Sequence, residues 1–450
     1  MSDSLRSVGV DVGTTTTQLI LSQIRVENKA SSFAVPDMEI TDRNVIYRSP
    51  VHFTPLIRGE LVDGDAIRAI VEAEYEAAGI RRQDVDTGAI IITGETSRKE
   101  NAAAVLAALS DFAGDFVVAT AGPDLESVLA AKGAGAVDYS EKTGKRVLHM
   151  DIGGGTSNLA LVENGQIVAT ACLNVGGRLL KLDENGCITY RSPVLQGLVD
   201  WDVGHRLTKA QALEVARMLA GVLEMAAGLR EKTDIFGHLT THGTRQLTDV
   251  AGAVLSFSGG VADCIGQDCP WLAYGDLGPL LGQAIRESAL CRGQYRLGEE
   301  TIRATVIGAG CHSAQLSGST VFYENVRLPM KNLPVAVLDG KADRSSISRA
   351  LESLEQWGVL ALKGPESPTY SQITALADAI ADAVGIRPCY IALQADMAKA
   401  LGNALKLRMP EGTPILCIDR VILPPQSYLD IGMPVGPALP VVVKTLILER

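Results

Sequence analysis

The chain has 450 residues, of which 46% are hydrophobic and 21% charged, a balance typical of a folded globular protein rather than a disordered one. This length exceeds that of one ordinary domain and favours two or three. The formal net charge of −11 disfavours non-specific binding to nucleic acid or to an anionic membrane, because both repel an acidic protein.

The N-terminal residues Met1–Ser4 lead straight into a strand pattern, without the basic and apolar segments of a secretory signal. The sequence also has no run of about 18 uncharged apolar residues that could span a bilayer. We therefore expect a cytoplasmic protein with no membrane or nucleic-acid partner. The eight cysteines are scattered singly, and Cys264 and Cys269 have no histidine near them, which favours buried free thiols over a metal or redox site.

In chain order, strand and helix patterns alternate in the first part of the sequence. Residues 5–24 predict a β-hairpin around a Gly-Thr turn, and residues 64–79 a helix with apolar residues at helical spacing. Residues 88–94 form an apolar run that fits a buried strand, and residues 99–112 predict an alanine-rich helix.

The same alternation continues further along. Residues 147–153 predict a strand, and the hairpin after it turns at Asn164-Gly165, a strong two-residue turn signal. Thr208 and Gln211 form a capping-box pattern ahead of a long helix that we expect to end near residue 229.

Three further apolar segments run into or contain glycines. Residues 253–260 and 304–310 are interpreted as strands that end in glycines, and residues 275–290 as the start of a helix. Strands alternating with helices indicate an α/β fold. From about residue 322 prolines separate shorter elements, so residues 322–450 are predicted to form an added C-terminal α/β module.

Two segments of the sequence match one another 140 positions apart. Four residues of the first hairpin coincide with four of the second: Asp11 with Asp151, Gly13 with Gly153, Leu19 with Leu159 and Leu21 with Leu161. Hairpins share alternation and turn glycines, so coincidence is one interpretation. An aspartate that ends an apolar strand before a Gly/Thr turn, twice in the same relation to the next strand, favours duplication.

The two turns carry the chemistry of a phosphate site. Successive backbone N–H groups around Gly13, with the hydroxyls of Thr14 and Thr15, can converge on an anion. An aspartate beside phosphate makes sense if Mg²⁺ lies between them. A solvent-facing turn without a ligand is the alternative at this position.

The second turn, Gly153-Gly154-Gly155-Thr156, predicts close approach to a ligand more strongly, because three glycines cost backbone entropy. Two such turns would hold a phosphate chain from both sides, with Asp11 and Asp151 as catalytic residues that share one metal ion. Small residues again end a strand at Ser258-Gly259-Gly260, where an adenine or ribose could lie against the backbone, although a plain turn fits as well.

Other nucleotide and catalytic signatures are absent. The sequence contains no G-x-x-x-x-G-K-[ST] P-loop, no G-x-G-x-x-G in a βαβ setting and no G-x-S-x-G nucleophile elbow. The six histidines do not cluster at metal-ligand spacing.

In combination, four of these segments resemble the motifs of the actin, sugar-kinase and heat-shock-protein superfamily: residues 8–21, 148–162, 255–264 and 306–315. This resemblance implies two actin-like (ribonuclease H-like) ATPase domains with mixed five-stranded sheets, hinged around ATP and Mg²⁺. The domain boundaries that follow are 1–146, 147–321 and 322–450.

The segments 92–102 and 119–128 also look like the exopolyphosphatase branch of that superfamily. There a glutamate orients the attacking water, and the position that matches it is Glu126. A helix N-terminal acid favoured by the dipole is the simpler interpretation of Glu126. Glu95 is a weaker candidate for a carboxylate near the metal.

Over its whole length the sequence resembles the ethanolamine ammonia-lyase reactivating factors, most clearly in residues 8–24, 41–56 and 417–448. The resemblance implies a chaperone-like ATPase that releases damaged cobalamin from the inactivated lyase so that adenosylcobalamin can replace it. It also allows for a homodimer and for association with a bacterial microcompartment. No histidine lies in a D-x-H-x-x-G cobalamin pattern, which suits a factor that acts on the lyase.

Three alternatives of the same superfold remain open from the sequence. A small-molecule kinase would need a substrate base in the cleft, and a filament-forming actin relative would polymerise with ATP. An exopolyphosphatase is favoured by the stretch 92–128 and disfavoured by the acidic charge of the chain.

Overall fold

The structure is a computed structural model. It describes residues 3–13, 16–29, 38–57, 61–81, 84–93, 117–120, 123–241, 247, 250–312, 314–317, 320–338, 340, 342–354, 357–365, 367–423, 427–434 and 438–445. The predicted helix 99–112 lies outside these residues.

The first sheet is built on the predicted N-terminal hairpin. Its strands are β1 (Asp3–Val12), β2 (Thr16–Asn28), β3 (Met38–Arg48), β7 (Thr87–Ile92) and β8 (Val117–Thr120), in the order β3-β2-β1-β7-β8. Neighbours are antiparallel among β1, β2 and β3, and parallel among β1, β7 and β8. The remaining elements of this region are β4 (His52–Phe53), which pairs with β2, the pair β5 (Leu56–Ile57) and β6 (Leu61–Val62), and helix α1 (Gly64–Ala77).

The second sheet repeats the plan of the first. Its strands are β9 (Val147–Ile152), β10 (Ser157–Glu163), β11 (Gln166–Leu173), β14 (Val254–Ser258) and β15 (Tyr295–Leu297), in the order β11-β10-β9-β14-β15. Two antiparallel neighbours are again followed by two parallel ones. Asn164 and Gly165 turn the hairpin with positive φ values of 49° and 75°. The duplication predicted from two hairpins therefore extends to two sheets of the same strand order.

Helices surround the two sheets. They are α2 (Pro123–Gly133), α3 (Ala136–Thr143), α4 (Lys209–Ala226), α5 (Asp234–Leu239), α6 (Gly260–Gly266), α7 (Gly278–Glu287) and α8 (Ala304–His312); β12 (Leu180–Leu182) and β13 (Ile188–Arg191) form a separate hairpin. Thr208 and Gln211 make both hydrogen bonds of the predicted capping box, and α4 ends at Ala226.

The prediction of a strand at residues 304–310 was wrong, because this segment lies within helix α8. The helix crosses α2 at a distance that only glycine permits. A Cβ at Gly308 would lie 2.0 Å from the Leu129 carbonyl oxygen, and a Cβ at Gly133 would lie 1.8 Å from the Ala304 carbonyl oxygen. Gly133 and Gly308 are therefore required by the packing of the two helices.

The C-terminal part of the chain forms a third sheet. Its strands are β16 (Ala314–Leu316), β17 (Phe322–Glu324), β18 (Met330–Leu338), β19 (Val359–Leu362), β20 (Cys389–Leu393), β21 (Ile415–Ile418), β22 (Ser427–Ile431) and β23 (Pro440–Thr445), in the order β16-β23-β22-β18-β19-β20-β21-β17. Its helices are α9 (Arg344–Glu352), α10 (Tyr370–Val384) and α11 (Ala398–Lys406). The sheet thus begins at β16, before residue 322, and the three domain boundaries stay predictions.

The centre of the second sheet is deeply buried. Strands β9 and β14 are buried along their whole length, and with α4 and α7 they belong to the largest apolar cluster of the described residues. Because β9 and β14 are packed on both faces, the residues at their ends are held in fixed positions. Among the described residues, no helix is long and apolar enough to cross a membrane, and the cysteines with described side chains are free thiols.

Candidate functional site

The two duplicated turns open onto one cleft of about 490 Å³. Asp11 near the end of β1 and Asp151 near the end of β9 both line it. Each turn closes by the same backbone hydrogen bond: Gly13 N–H donates to Thr16 O at 2.9 Å, and Gly153 N–H donates to Thr156 O at 2.9 Å. The structure therefore brings the two predicted carboxylates together across the two halves.

Each carboxylate is supported by a hydroxyl from the parallel strand next to it. Thr93, just after β7, donates to Asp11 Oδ1 at 2.8 Å, and Ser258 at the end of β14 donates to Asp151 Oδ1. A hydroxyl donor stabilises the ionised form of a carboxyl group. Sequence reasoning found Ser258 and missed Thr93.

Burial is the main influence on both acids. It raises the pKa of Asp11 to about 7, with a further contribution from the nearby Asp151 charge and an opposing one from the Thr93 hydrogen bond. Burial also raises the pKa of Asp151 to about 6, against the hydrogen bonds from Ser258 and Thr305. Two desolvated carboxylates, one of which raises the pKa of the other, are the environment that a cation would relieve.

The donor set around this pair suits a hydrated Mg²⁺ ion. Gln18 pairs across the ladder with Asp11, and Asn158 pairs in the same way with Asp151. The amide oxygens of Gln18 and Asn158 are buried and have no hydrogen-bond partner among the described residues, and both residues line the cleft. Mg²⁺ prefers oxygen ligands, keeps several waters and shares itself with phosphate. Among the described residues, no three or more His, Cys, Asp or Glu side chains form a metal cluster.

The glycine turn of the second half lines the cleft from Gly153 to Thr156. A Cβ at Gly155 would meet no described atom within 4 Å, so packing of the described residues does not require glycine there. The neighbouring Gly176 is required by packing, since its Cβ would lie 2.3 Å from the Gly154 carbonyl oxygen. In the first half, Gly13 lines the cleft, and Thr14 and Thr15 lie outside the described residues.

Sequence reasoning missed two cationic side chains that reach the cleft. Arg178 follows Gly176-Gly177 and donates from Nε to Asp276 Oδ2 at 3.0 Å, and Lys181 lies on β12. Backbone hydrogen bonds fix the Arg178 segment, since its N–H donates to Gly154 O at 2.6 Å. A glycine pair and an arginine soon after an apolar strand were the available signal.

The side of the cleft predicted for adenosine is formed by Gly259, Gly260, Val261 and Asp263. Gly259 has a φ of 86°, and a Cβ there would lie 2.3 Å from the Ile152 carbonyl oxygen. Only glycine can therefore turn the chain at this point. Ser258 differs from the expectation, because it is fully buried behind Asp151 and is not part of the cleft wall.

Glu126 lies in the first turn of α2 and lines the same cleft with 7% of its surface exposed. It accepts a hydrogen bond from Asn158 Nδ2 at 2.7 Å. The position predicted from the exopolyphosphatase resemblance thus comes close to the aspartate turn of the second half. Glu95 lies outside the described residues.

The two mixed sheets have the same strand order, and each presents an aspartate and a glycine turn to a shared cleft. This arrangement defines a duplicated actin-like α/β fold of the actin, sugar-kinase and heat-shock type. The family described as ethanolamine utilisation protein EutA matches residues 3–449. The chain belongs to this family.

Named relatives cover nearly the whole chain. The ethanolamine ammonia-lyase reactivase EutA of Salmonella typhimurium is 40% identical over 98% of both chains, and that of Escherichia coli is 39% identical over 98% of both. Among solved structures, ethanolamine utilization protein EutJ from Carboxydothermus hydrogenoformans is 18% identical. It covers 68% of this chain and 88% of that one, with a TM-score of 0.34, a likeness too low to argue from.

Proposed function

We propose that this protein is a Mg²⁺-dependent ATPase that reactivates ethanolamine ammonia-lyase. In this proposal it promotes release of damaged cobalamin from the lyase and its exchange for adenosylcobalamin. The observation that carries the ATPase part is the meeting of Asp11 and Asp151 in one cleft. The lyase as partner is supported by the names of the two relatives that match along the whole chain.

The nucleotide would lie along the cleft with its phosphates near the two aspartates. Backbone N–H groups and the hydroxyl of the Gly153–Thr156 turn would hold them, aided by the Arg178 and Lys181 charges. The ribose and base would lie towards Gly259 and Gly260. Asp11 and Asp151 would hold Mg²⁺, which supplies charge neutralisation between the carboxylates and the phosphates when bound.

In this proposal Glu126 orients the attacking water. It is buried, reaches the cleft and is held by Asn158, so its carboxylate direction is fixed before the substrate arrives. A carboxylate in this role accepts a hydrogen bond from water and points the oxygen lone pair at the γ-phosphorus. Asp11 and Asp151 would thus hold the ion that neutralises the phosphate charge, and Glu126 would orient the attacking water.

The energy required of such a factor is modest. Weakening a ligand from nanomolar to micromolar affinity takes about 4 kcal/mol. A partner that prefers the cofactor-loose state of the lyase by that amount suffices. Opening and closing of the cleft would supply this preference, because its two walls belong to the two different sheets. A cytoplasmic location, a homodimer and attachment to a microcompartment complete the proposal.

The test is recovery of an inactivated lyase. Ethanolamine ammonia-lyase blocked with cyanocobalamin is mixed with the protein, ATP, Mg²⁺ and fresh adenosylcobalamin, and deamination of ethanolamine is followed. Activity should return with the wild-type protein and not with Asp11→Asn or Asp151→Asn. Asp65→Asn, at an exposed position of α1, is the matched control and should reactivate normally.

Two results would overturn the proposal. Full reactivation by either cleft variant would remove the role of the carboxylate pair, and no reactivation by the wild-type protein would remove the lyase as partner. The exopolyphosphatase alternative is supported by the same placement of Glu126. Phosphate release from polyphosphate without lyase or ATP, abolished by Glu126→Gln, would establish that activity instead.

A further inference from the structure

A chain of hydrogen bonds lies behind Asp151, in the buried centre of the second sheet. His149 on β9 lies between two serines of β14, with Nδ1 3.1 Å from Ser256 Oγ and Nε2 2.9 Å from Ser258 Oγ. Ser258 in turn donates to Asp151 Oδ1. His149, Ser256 and Ser258 are fully buried, so the hydrogen bonds of this chain run between protein groups.

The chemistry of the groups fixes the direction of every bond in this chain. The Ser258 proton is given to Asp151, so Ser258 Oγ must accept from His149, and Nε2 carries a proton. The ring is fully buried and both of its nitrogens face serine hydroxyls rather than an acid, an environment that favours the neutral ring with Nδ1 unprotonated. Nδ1 therefore accepts from Ser256. All donors point towards the carboxylate.

The described residues of the first half contain no counterpart to this arrangement. The position equivalent to His149 is Gly9, where a Cβ would lie 2.5 Å from the Val306 carbonyl oxygen and 3.0 Å from Gly310 Cα. Helix α8 fills the place that the imidazole takes in the second half. At the paired positions of the neighbouring strand, β7 has Ala89 and Ile91 where β14 has Ser256 and Ser258, so among the described residues only Asp151 has a support of this kind.

We infer that His149 is a positioning residue for Asp151: through Ser258 it commits Oδ1 to a protein hydrogen bond and so fixes the direction in which the carboxylate meets the Mg·nucleotide. Without the Nε2 proton the Ser258 hydroxyl could rotate and donate elsewhere, and the carboxylate would lose its fixed direction. The inference rests on the proposed Mg·ATP site. Arg296 of β15 is the charged group that acts on His149. The charged side chains that line the cleft with Asp151 are Asp11, Glu126, Arg178, Lys181, Asp263 and Asp276.

The first measurement needs no nucleotide. Imidazole ¹⁵N NMR of the wild-type protein should show His149 as the neutral Nε2–H tautomer between pH 5 and 8. An Nδ1–H tautomer or a charged ring would overturn the inference, whatever the protein does with ATP. Absence of Mg²⁺-dependent ATP hydrolysis would instead sink the proposed function, and the two failures are therefore distinguishable.

The second measurement is a double-mutant cycle on the Mg²⁺ concentration that gives half-maximal ATPase. Both His149→Leu and Ser258→Ala should raise it about threefold to tenfold, with a smaller change in kcat. His149→Gln, whose amide N–H can replace Nε2–H, should stay within about twofold of wild type. Adding His149→Leu to Ser258→Ala should cost no more than about a further twofold, because the residues act in series.

Independent, additive effects of the two substitutions would contradict the series arrangement, as would failure of His149→Gln to restore Mg²⁺ affinity in a protein that melts at the wild-type temperature. Should His149→Leu not fold, the Gln variant and the tautomer measurement still decide the question.

Discussion

Asn158 donates a hydrogen bond to Glu126 at 2.7 Å, across the boundary between α2 and the second sheet. Glutamine at position 126 could still pair with Asn158 but could not act as a carboxylate towards water. Glu126→Gln is therefore expected to lower kcat for ATP hydrolysis about 100-fold while nucleotide affinity changes by less than about threefold. Single-turnover hydrolysis and equilibrium binding of a fluorescent nucleotide measure the two quantities. Asp124→Asn, an exposed acid of the same helix turn, is the control, and an equal loss of binding with Glu126→Gln would contradict the assignment.

Protons should compete with the metal at the aspartate pair. The pKa of Asp11 is raised to about 7 and that of Asp151 to about 6, so both are ionised at pH 8 and Asp11 is largely protonated at pH 6. Since only the ionised carboxylates bind Mg²⁺, the affinity for Mg·ATP should fall about tenfold or more between pH 8 and pH 6. Calorimetric titration across this range measures it. Asp11→Asn should bind more weakly and show a shallower dependence, and a flat wild-type profile would be inconsistent with metal binding by this pair.

Burial of the ionised Asp11 carboxylate should also lower the stability of the folded protein at pH 8. The pKa of Asp11 rises from an ordinary 3.8 to about 7 on folding, so the folded state holds its proton more tightly than the unfolded state. Stability from this group is complete below about pH 4 and is lost as the pH rises through 7. Asp11→Asn should therefore stabilise the metal-free protein at pH 8 by about 1–2 kcal/mol, a figure reduced because Asp11 is partly open to the cleft. Thermal melting in EDTA at pH 8 and pH 5 checks this, and equal shifts at both pH values would refute it.

The crossing of α2 and α8 should not tolerate a methyl group. Gly308→Ala places a Cβ 2.0 Å from the Leu129 carbonyl oxygen, so the helices must separate, at an expected cost of about 1–3 kcal/mol. Gly237→Ala, in helix α5 where a Cβ meets nothing within 4 Å, is the matched control and should not destabilise. Urea unfolding of both variants provides the comparison. A neutral Gly308→Ala would mean that the helices are not held this close.

Local patterns predicted the two hairpins because each depends on neighbouring residues only: alternating apolar positions, an Asn-Gly turn and a glycine after the aspartate. The error at α8 has a physical cause as well. Residues 304–310 are apolar almost throughout, and a fully buried helix has no polar face to reveal its period. Without that period the segment was assigned to a strand, although its glycine pair fitted close helix–helix or helix–strand packing equally well.

The parts of the cleft that come from distant segments were not predictable in this way. Arg178 and Asp276 form an ion pair across 98 positions of the chain, and each looks like an ordinary surface residue in its own segment. Ser258 was found from its glycine neighbours and assigned to the ligand. Its burial behind Asp151 follows from the parallel pairing of β14 with β9, which no local pattern determines.

Helix α8 ends at His312, and β16 begins at Ala314 and pairs with β23, the last strand of the chain. Helix α8, which packs against Gly9 of the first sheet, is thus joined through a single residue to β16 at the outer edge of the C-terminal sheet. Ser317 and Leu439 fasten this edge with a hydrogen bond in each direction, both 2.9 Å long. A rotation of α8 about its glycine contact with α2 would therefore also move β16 and, with it, the edge of the C-terminal sheet.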